Sequence, residues 1–224
     1  MTTEATDHPY TGHVDPQSAP AVRELPDLTI TKLSVGPMDN NAYLLRCKAT
    51  GDAVLIDAAN DAERILDVLG PIGLTAIITT HSHRDHWQAL SEVARRTGPK
   101  VIAGAADADG LPVPVDVRLE NGDTVQVGTC QLDVIALRGH TPGSVALLYT
   151  DPQGVAHLFT GDSLFPGGAG KTSTAQNFSS LMNDLEDRVF GVLPDDTWVY
   201  PGHGDDTTLG AERPKLAEWR RRGW

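Results

Sequence analysis

Four residues able to bind a metal at neutral pH crowd one short window, HSHRDH: His81, His83, Asp85 and His86. Neutral imidazole and carboxylate are the ligands that zinc and iron(II) favour. Three more such residues follow: His140 in GHTPGS, Asp162 in FTGDSLF and His203 in VYPGHGDD. Each stands where an apolar run opens into a Gly-rich loop, and loops on a rigid scaffold are where sites are built. An exposed polar turn with incidental histidines would account for the window but not for the three later residues. The chemistry such a set offers is activation of water for hydrolysis. His8 and His13 lie in a Pro-rich N-terminal stretch and are expected in solvent. His157, inside the apolar run VAHLF, reads as a structural strand residue.

The elements that must position these groups are mostly short strands, bounded by Gly, Asn, Asp or Pro. Strands are expected at 28–35, 42–47, 53–57 and 75–80, the last running straight into HSHRDH. Asn60 and Glu63 have the spacing of a capping box, opening a helix to Leu69 that Gly70-Pro71 stops. A second helix is expected after the histidine window, to about Arg96. Further strands are expected at 101–103, 115–119, 124–127, 131–137, 145–149, 155–160 and 197–200. Phe178, Leu181, Met182, Leu185 and Val189 follow helical spacing, so a core-facing helix is expected over 178–190. Residues 1–26, with four prolines, read as a loose arm, and 27–224 as one domain. This order suits a layered α+β sandwich of two sheets with helices outside.

Composition excludes several classes. Eighteen basic against 30 acidic residues give a net charge of −12, a poor partner for nucleic acid. No apolar run is long enough for a membrane helix, and no export signal is visible at the N-terminus. Cys47 and Cys130 both sit in apolar segments and are expected as buried free thiols. A cytoplasmic location is expected. GAGKT lacks the first glycine of a phosphate-binding loop, where Phe165 stands, and no Gly-x-Ser-x-Gly elbow occurs.

HSHRDH resembles the His-x-His-x-Asp-His motif of the metallo-β-lactamase-fold superfamily, and His140, Asp162 and His203 match its remaining ligands in order. The resemblance covers roughly residues 28–205. It implies an αββα sandwich with a two-metal site at one edge. By it, His81, His83 and His140 hold one ion, Asp85, His86 and His203 the other, and Asp162 bridges them. Two divalent ions are expected, zinc first, with iron or a mixed pair as alternatives. GDSLFPGGAGKT and MDNNAYLL look most like glyoxalase II and its short bacterial relatives. The likeness gives Lys171 a substrate carboxylate to meet, against a plain solvated loop lysine. Asp57 matches a buried aspartate that orients ligand histidines.

The departures are specific. The family has Gly shortly after that aspartate, whereas Ala58-Ala59 stand here, so a less sharply turned backbone is expected. Trp87-Gln88 replace the Gly that usually follows the last motif histidine. Trp87 could line the pocket or pack beneath it. Tyrosines that contact glutathione are missing around Ser173 and Gly204, and the stretch after His203 is short for the helical extension of glyoxalase II. Metal chemistry is thus expected to carry over, and glutathione recognition is not. The tail residues Trp219 and Trp224 are free to cover the pocket mouth, a partner subunit, or neither.

The expected reaction is hydrolysis of a small, anionic thioester, whose thiolate leaves with little help from an acid. An amide or lactone would need a proton, with Asp85 as shuttle. The closest rival by resemblance is a persulfide dioxygenase, with one iron on residues matching His81, His140 and Asp162. A lactonase and a secreted β-lactamase follow. A diiron reductase normally carries Glu where His83 stands. A metal-holding binding protein is the rival outside enzymes.

Overall fold

The computed structural model describes residues 10–223. Its first half forms a seven-stranded sheet: β1 (Ala21–Glu24), β2 (Leu28–Val35), β3 (Asn40–Cys47), β4 (Ala53–Ile56), β5 (Leu74–Thr79), β6 (Lys100–Gly104) and β7 (Val117–Leu119), in that order. Strands β1 to β4 pair antiparallel, and β4 to β7 pair parallel. The parallel pairs need crossovers, and helices α1 (Ala62–Leu69) and α2 (Leu90–Thr97) supply two of them.

The second half forms a six-stranded sheet. Its members are β8 (Thr124–Val127), β9 (Cys130–Ala136), β10 (Val145–Thr150) and β11 (Ala156–Gly161). A small hairpin, β12 (Leu164–Phe165) and β13 (Gly168–Ala169), intervenes. Helix α3 (Ala175–Leu185) runs on through a wider turn to Phe190, and β14 (Trp198–Pro201) and β15 (Thr207–Thr208) complete the sheet in the order β15-β14-β11-β10-β9-β8. Short helices α4 (Leu209–Glu212) and α5 (Leu216–Arg222) follow.

Alternation along the strands divides the apolar residues into three layers. Between the sheets lie Ile30, Leu45, Ile56 and Ile78 against Leu132, Leu147, Phe159 and Tyr200. Leu55 and Ile77 on the outer face of the first sheet pack against Ile65 of α1 and Leu90 of α2. Leu158 and Val199 on the outer face of the second pack against Leu181 and Leu185 of α3 and Trp219 of α5. The architecture is the expected α/β/β/α sandwich. Each fully buried Leu, Ile or Phe contributes roughly 1.5–3 kcal/mol. Cys47 and Cys130 are buried free thiols. No helix among the described residues is long and apolar enough to cross a membrane.

Three expectations are corrected. Residues 21–24 are an edge strand rather than loose arm, because Tyr10 donates to Asp206 at 2.6 Å and the buried Lys32 ammonium holds the Gly12 carbonyl at 2.7 Å. The rest of the expected arm, with His8, lies outside the described residues. The capping box does not form. Asn60 accepts instead from the Asp61 amide, Asp61 from the Gly36 amide, and Glu63 pairs with Arg96. Asp57 turns sharply, at φ +56°, without a glycine after it. The bonds its carboxylate collects stabilise a conformation that Asp tolerates better than most residues.

Candidate metal centre

Strand direction brings the site together. The C-terminal ends of β4, β5, β9, β11 and β14 share one edge of the sandwich, and Asp57, His81, His140, Asp162 and His203 follow them. The edge is sewn shut across the two sheets. The Val145 amide donates to the Thr80 carbonyl at 3.0 Å, and the Asn41 amide to that of Gly202 at 2.7 Å. Gly202 leaves no room to spare: a Cβ there would lie 2.2 Å from Asp162 Oδ1 and 2.7 Å from His86 Cε1.

Four imidazoles are oriented alike. His86 Nδ1 donates to Asp57 Oδ2 at 2.8 Å, His140 Nδ1 to the Lys171 carbonyl at 2.6 Å, and His203 Nδ1 to the Met38 carbonyl at 2.9 Å. The Thr80 hydroxyl is spent on Asp57 at 2.7 Å, so it accepts from His81 Nδ1 at 3.1 Å. Each ring thereby turns Nε2 inward. Outer partners of this kind fix tautomer and ring angle in metal sites. The His83 ring is more exposed, its centroid 4.9 Å from that of His81 and 4.5 Å from that of His140.

Three groups of ligand atoms lie within 4.8 Å of one another: His81, His83 and His140; His81, His86 and Asp162; and Asp85, His86 and His203. Asp162 stands between them, with Oδ1 3.2 Å from His86 Nε2, and Oδ2 3.5 Å from His140 Nε2 and 3.4 Å from His203 Nε2.

The residues fit a cation. His81 Nε2, His140 Nε2 and Asp162 Oδ1 are buried with no hydrogen-bond partner. Such groups are costly unless something fills the space between them. His86 Nε2 and His203 Nε2 face each other at 3.2 Å, which needs a positive charge shared between them. Burial and the neighbouring rings hold His81 well below the usual imidazole pKa, and burial lowers His140. Both are therefore neutral, as ligands must be. Burial also opposes charge on His86, but Asp57 and Asp162 outweigh it and lift its pKa to about 10. Burial likewise pushes Asp162 up, and the hydrogen bonds of His203 and His86 bring it far below the carboxylate range.

The profile of the Metallo-beta-lactamase superfamily matches residues 35–203. The chain belongs to that superfamily. Hydroxyacylglutathione hydrolase of Fuscovulum blasticum is 39% identical over 170 residues, which are 74% of this chain. The chain spans about 62% of the length of that relative. Among solved structures, ETHE1 from Myxococcus xanthus superposes with a TM-score of 0.72 at 31% identity, covering 86% of this chain and 84% of that one. TTHA1623, solved in a di-iron-bound form, gives 0.65 at 33% identity, covering 81% of this chain and 96% of that one.

Trp87, a departure from the family pattern, and Trp219 of the tail both pack into apolar layers. Trp87 packs beneath the site on the outer apolar layer of the first sheet, its indole N–H donating to the Ser82 carbonyl at 2.8 Å. Trp219 is buried against Phe190 in the layer over the second sheet, and Trp224 lies outside the described residues. His157 is fully buried in β11, 3.0 Å from the Tyr200 hydroxyl. His13 is exposed and bonded to Asp205.

The motif reading overlooked two groups. Asn40 donates to Asp85 Oδ2 at 3.0 Å and lies 3.3 Å from His203 Nε2. Its signal was its place in MDNNAYLL, at the start of the strand antiparallel to β4. Asp107 is the other. It follows β6, whose parallel pairing with β5 puts its C-terminal end at the same edge as His81.

Proposed function

We propose that this chain is a metal-dependent hydrolase that cleaves a small-molecule thioester. The observation that carries the reading is the pair of ligand triads side by side, with the Asp162 carboxylate reaching rings of both. His81, His83 and His140 would hold one divalent ion, and Asp85, His86 and His203 the other, with Asp162 between them; zinc is the expected metal and iron the alternative. Bound there, the ions supply hydroxide near neutral pH, since metal lowers the pKa of water from about 15.7 to roughly 7, and they stabilise an oxyanion.

The chain's own groups suit a thiolate leaving group. Partial burial pushes Asp85 up, but the Asn40 hydrogen bond and the charges of His86 and His203 bring it below the ordinary carboxylate range. A carboxylate that ionised accepts protons and donates them poorly at neutral pH. We assign Asp85 to proton transfer from the water, and a substrate whose leaving group departs unprotonated fits that role. Lys171 anchors His140 through its carbonyl, while its exposed ammonium has no partner among the described residues. It borders a cleft of about 640 Å³ with Thr172, Ser173 and Thr174. We assign it to an anionic group of the substrate. Similarity to a hydroxyacylglutathione hydrolase supports the thioester class.

The test is a substrate panel on metal-reconstituted protein: acyl-glutathiones and other small thioesters beside lactones and amides. Thioesters are expected to lead in kcat/KM. Lactone turnover far above thioester turnover would overturn the reading. So would oxygen uptake with glutathione persulfide in the absence of thioester cleavage.

A further inference from the structure

The Asp107 carboxylate is buried, 3% exposed, and its hydrogen bonds go to Ser82, Thr141 and Gly143 rather than to any of the seven candidate ligands. Its Oδ2 accepts from the Ser82 amide at 2.8 Å and the Thr141 hydroxyl at 2.5 Å. Its Oδ1 accepts from the Gly143 amide at 2.8 Å. Ser82 lies between His81 and His83. Thr141 and Gly143 follow His140. One carboxylate therefore clamps both loops that supply His81, His83 and His140, and these loops come from opposite sheets.

The clamp has little slack. Trp87 holds the Ser82 carbonyl at 2.8 Å, so the peptide groups on both sides of Ser82 are tied. The Thr141 hydroxyl also meets that of Ser144 at 2.6 Å. A Cβ on Gly143 would lie 2.5 Å from the Asp107 amide nitrogen, and one on Gly104 would lie 2.0 Å from the Gly143 carbonyl oxygen. The backbones approach as closely as glycine allows. Asp85, His86 and His203 are held otherwise, by Asn40, Asp57 and the Met38 carbonyl, and none of these bonds involves Asp107.

We propose that Asp107 is a positioning residue for the His81–His83–His140 half of the centre, setting the affinity of that half for a divalent cation without touching the ion. The inference rests on the two-ion reading of the centre, though not on the substrate. Three donors converge on two acceptor oxygens here, an arrangement only a carboxylate satisfies. The single carbonyl oxygen of an asparagine would leave its NH2 group facing an N–H donor. Losing such an outer partner typically costs about 10- to 100-fold in metal affinity.

The experiment is titration of metal-free protein with Co²⁺ and Zn²⁺ against a chromophoric chelator, following the cobalt d–d spectrum. Asp107→Asn is expected to weaken one of two sites by about 10- to 100-fold and leave the other unchanged. Combined with His83→Ala it should add little, because both act on the same half. His203→Ala, which removes a ligand of the Asp85–His86–His203 half and of no other group of three, should weaken the other site. Both affinities at the wild-type level, or both lowered alike in a folded protein, would overturn the proposal. If circular dichroism shows Asp107→Asn unfolded, Thr141→Val removes a single donor; it should give a smaller loss at the same one site, and no loss refutes the clamp. Failure of the thioester reading would show separately, as a loaded wild-type protein that leaves thioesters intact.

Discussion

His86 donates its Nδ1–H to the Asp57 carboxylate at 2.8 Å, so one bond decides which ring nitrogen faces the ligand cluster. Asp57 also accepts from the Thr80 amide and hydroxyl, both at 2.7 Å, tying the end of β4 to the end of β5 where the histidine window begins. Asp57→Ala should therefore lower metal stoichiometry before it abolishes the fold. We expect about 10- to 100-fold weaker binding at the Asp85–His86–His203 half, and a smaller loss at the other half, where Asp57 reaches His81 through the Thr80 hydroxyl, read by competition with a chelator. Wild-type affinity in Asp57→Ala would show that ring orientation there does not depend on this carboxylate.

Lys171 separates substrate binding from metal binding. Its carbonyl orients His140, and a substitution leaves the carbonyl in place. Lys171→Ala should keep metal content and kcat while raising KM for anionic thioesters by roughly tenfold, the worth of one charge-assisted hydrogen bond of ~1.5 kcal/mol. A KM equal to wild type would make Lys171 a solvated loop residue.

The His140 loop is anchored at its base by Asp184 of α3. Its carboxylate accepts from the Arg138 amide and guanidinium, at 2.8 to 2.9 Å. Burial raises the Asp184 pKa, and the Arg138 hydrogen bonds more than offset this, leaving it below the ordinary value. A depressed folded pKa stabilises the fold above the unfolded value, and the contribution is lost as pH falls through the folded one. Asp184→Asn should cost about 2 kcal/mol at pH 7, lowering Tm by roughly 4–8 °C. The gap to wild type should narrow below about pH 4, read by thermal unfolding of the metal-free protein across pH. A gap independent of pH would mean that the charge on Asp184 contributes nothing.

What the sequence made legible was local. Strand 75–80 running into HSHRDH needed only β-branched residues and the polar window after them, and the core-facing stripe of α3 showed in its spacing. The helix begins earlier than that stripe, at Ala175, because Thr174 caps it by accepting from the Asn177 amide at 3.1 Å. What was not legible depends on partners distant in the chain. Lys32 in ITKLSV carried no signal of its role. It is fully buried, paired with Asp206 at 2.7 Å, because Gly12, Gly204 and Asp206 converge on it from elsewhere. Asp107 in GAADADG gave no signal for the same reason: its three donors belong to two other loops. Asn60 and Glu63 had the right spacing for a cap, but Asp61 adopts a left-handed conformation that redirects the chain before α1.

The central claim is that two metal ions sit in this centre. Elemental analysis of protein purified with neither added metal nor chelator tests it most directly. We predict about two ions of zinc or iron per chain, falling together with thioesterase activity when His83 or Asp162 is replaced by alanine. A single iron per chain with little zinc, or full metal content in both variants, would contradict the account.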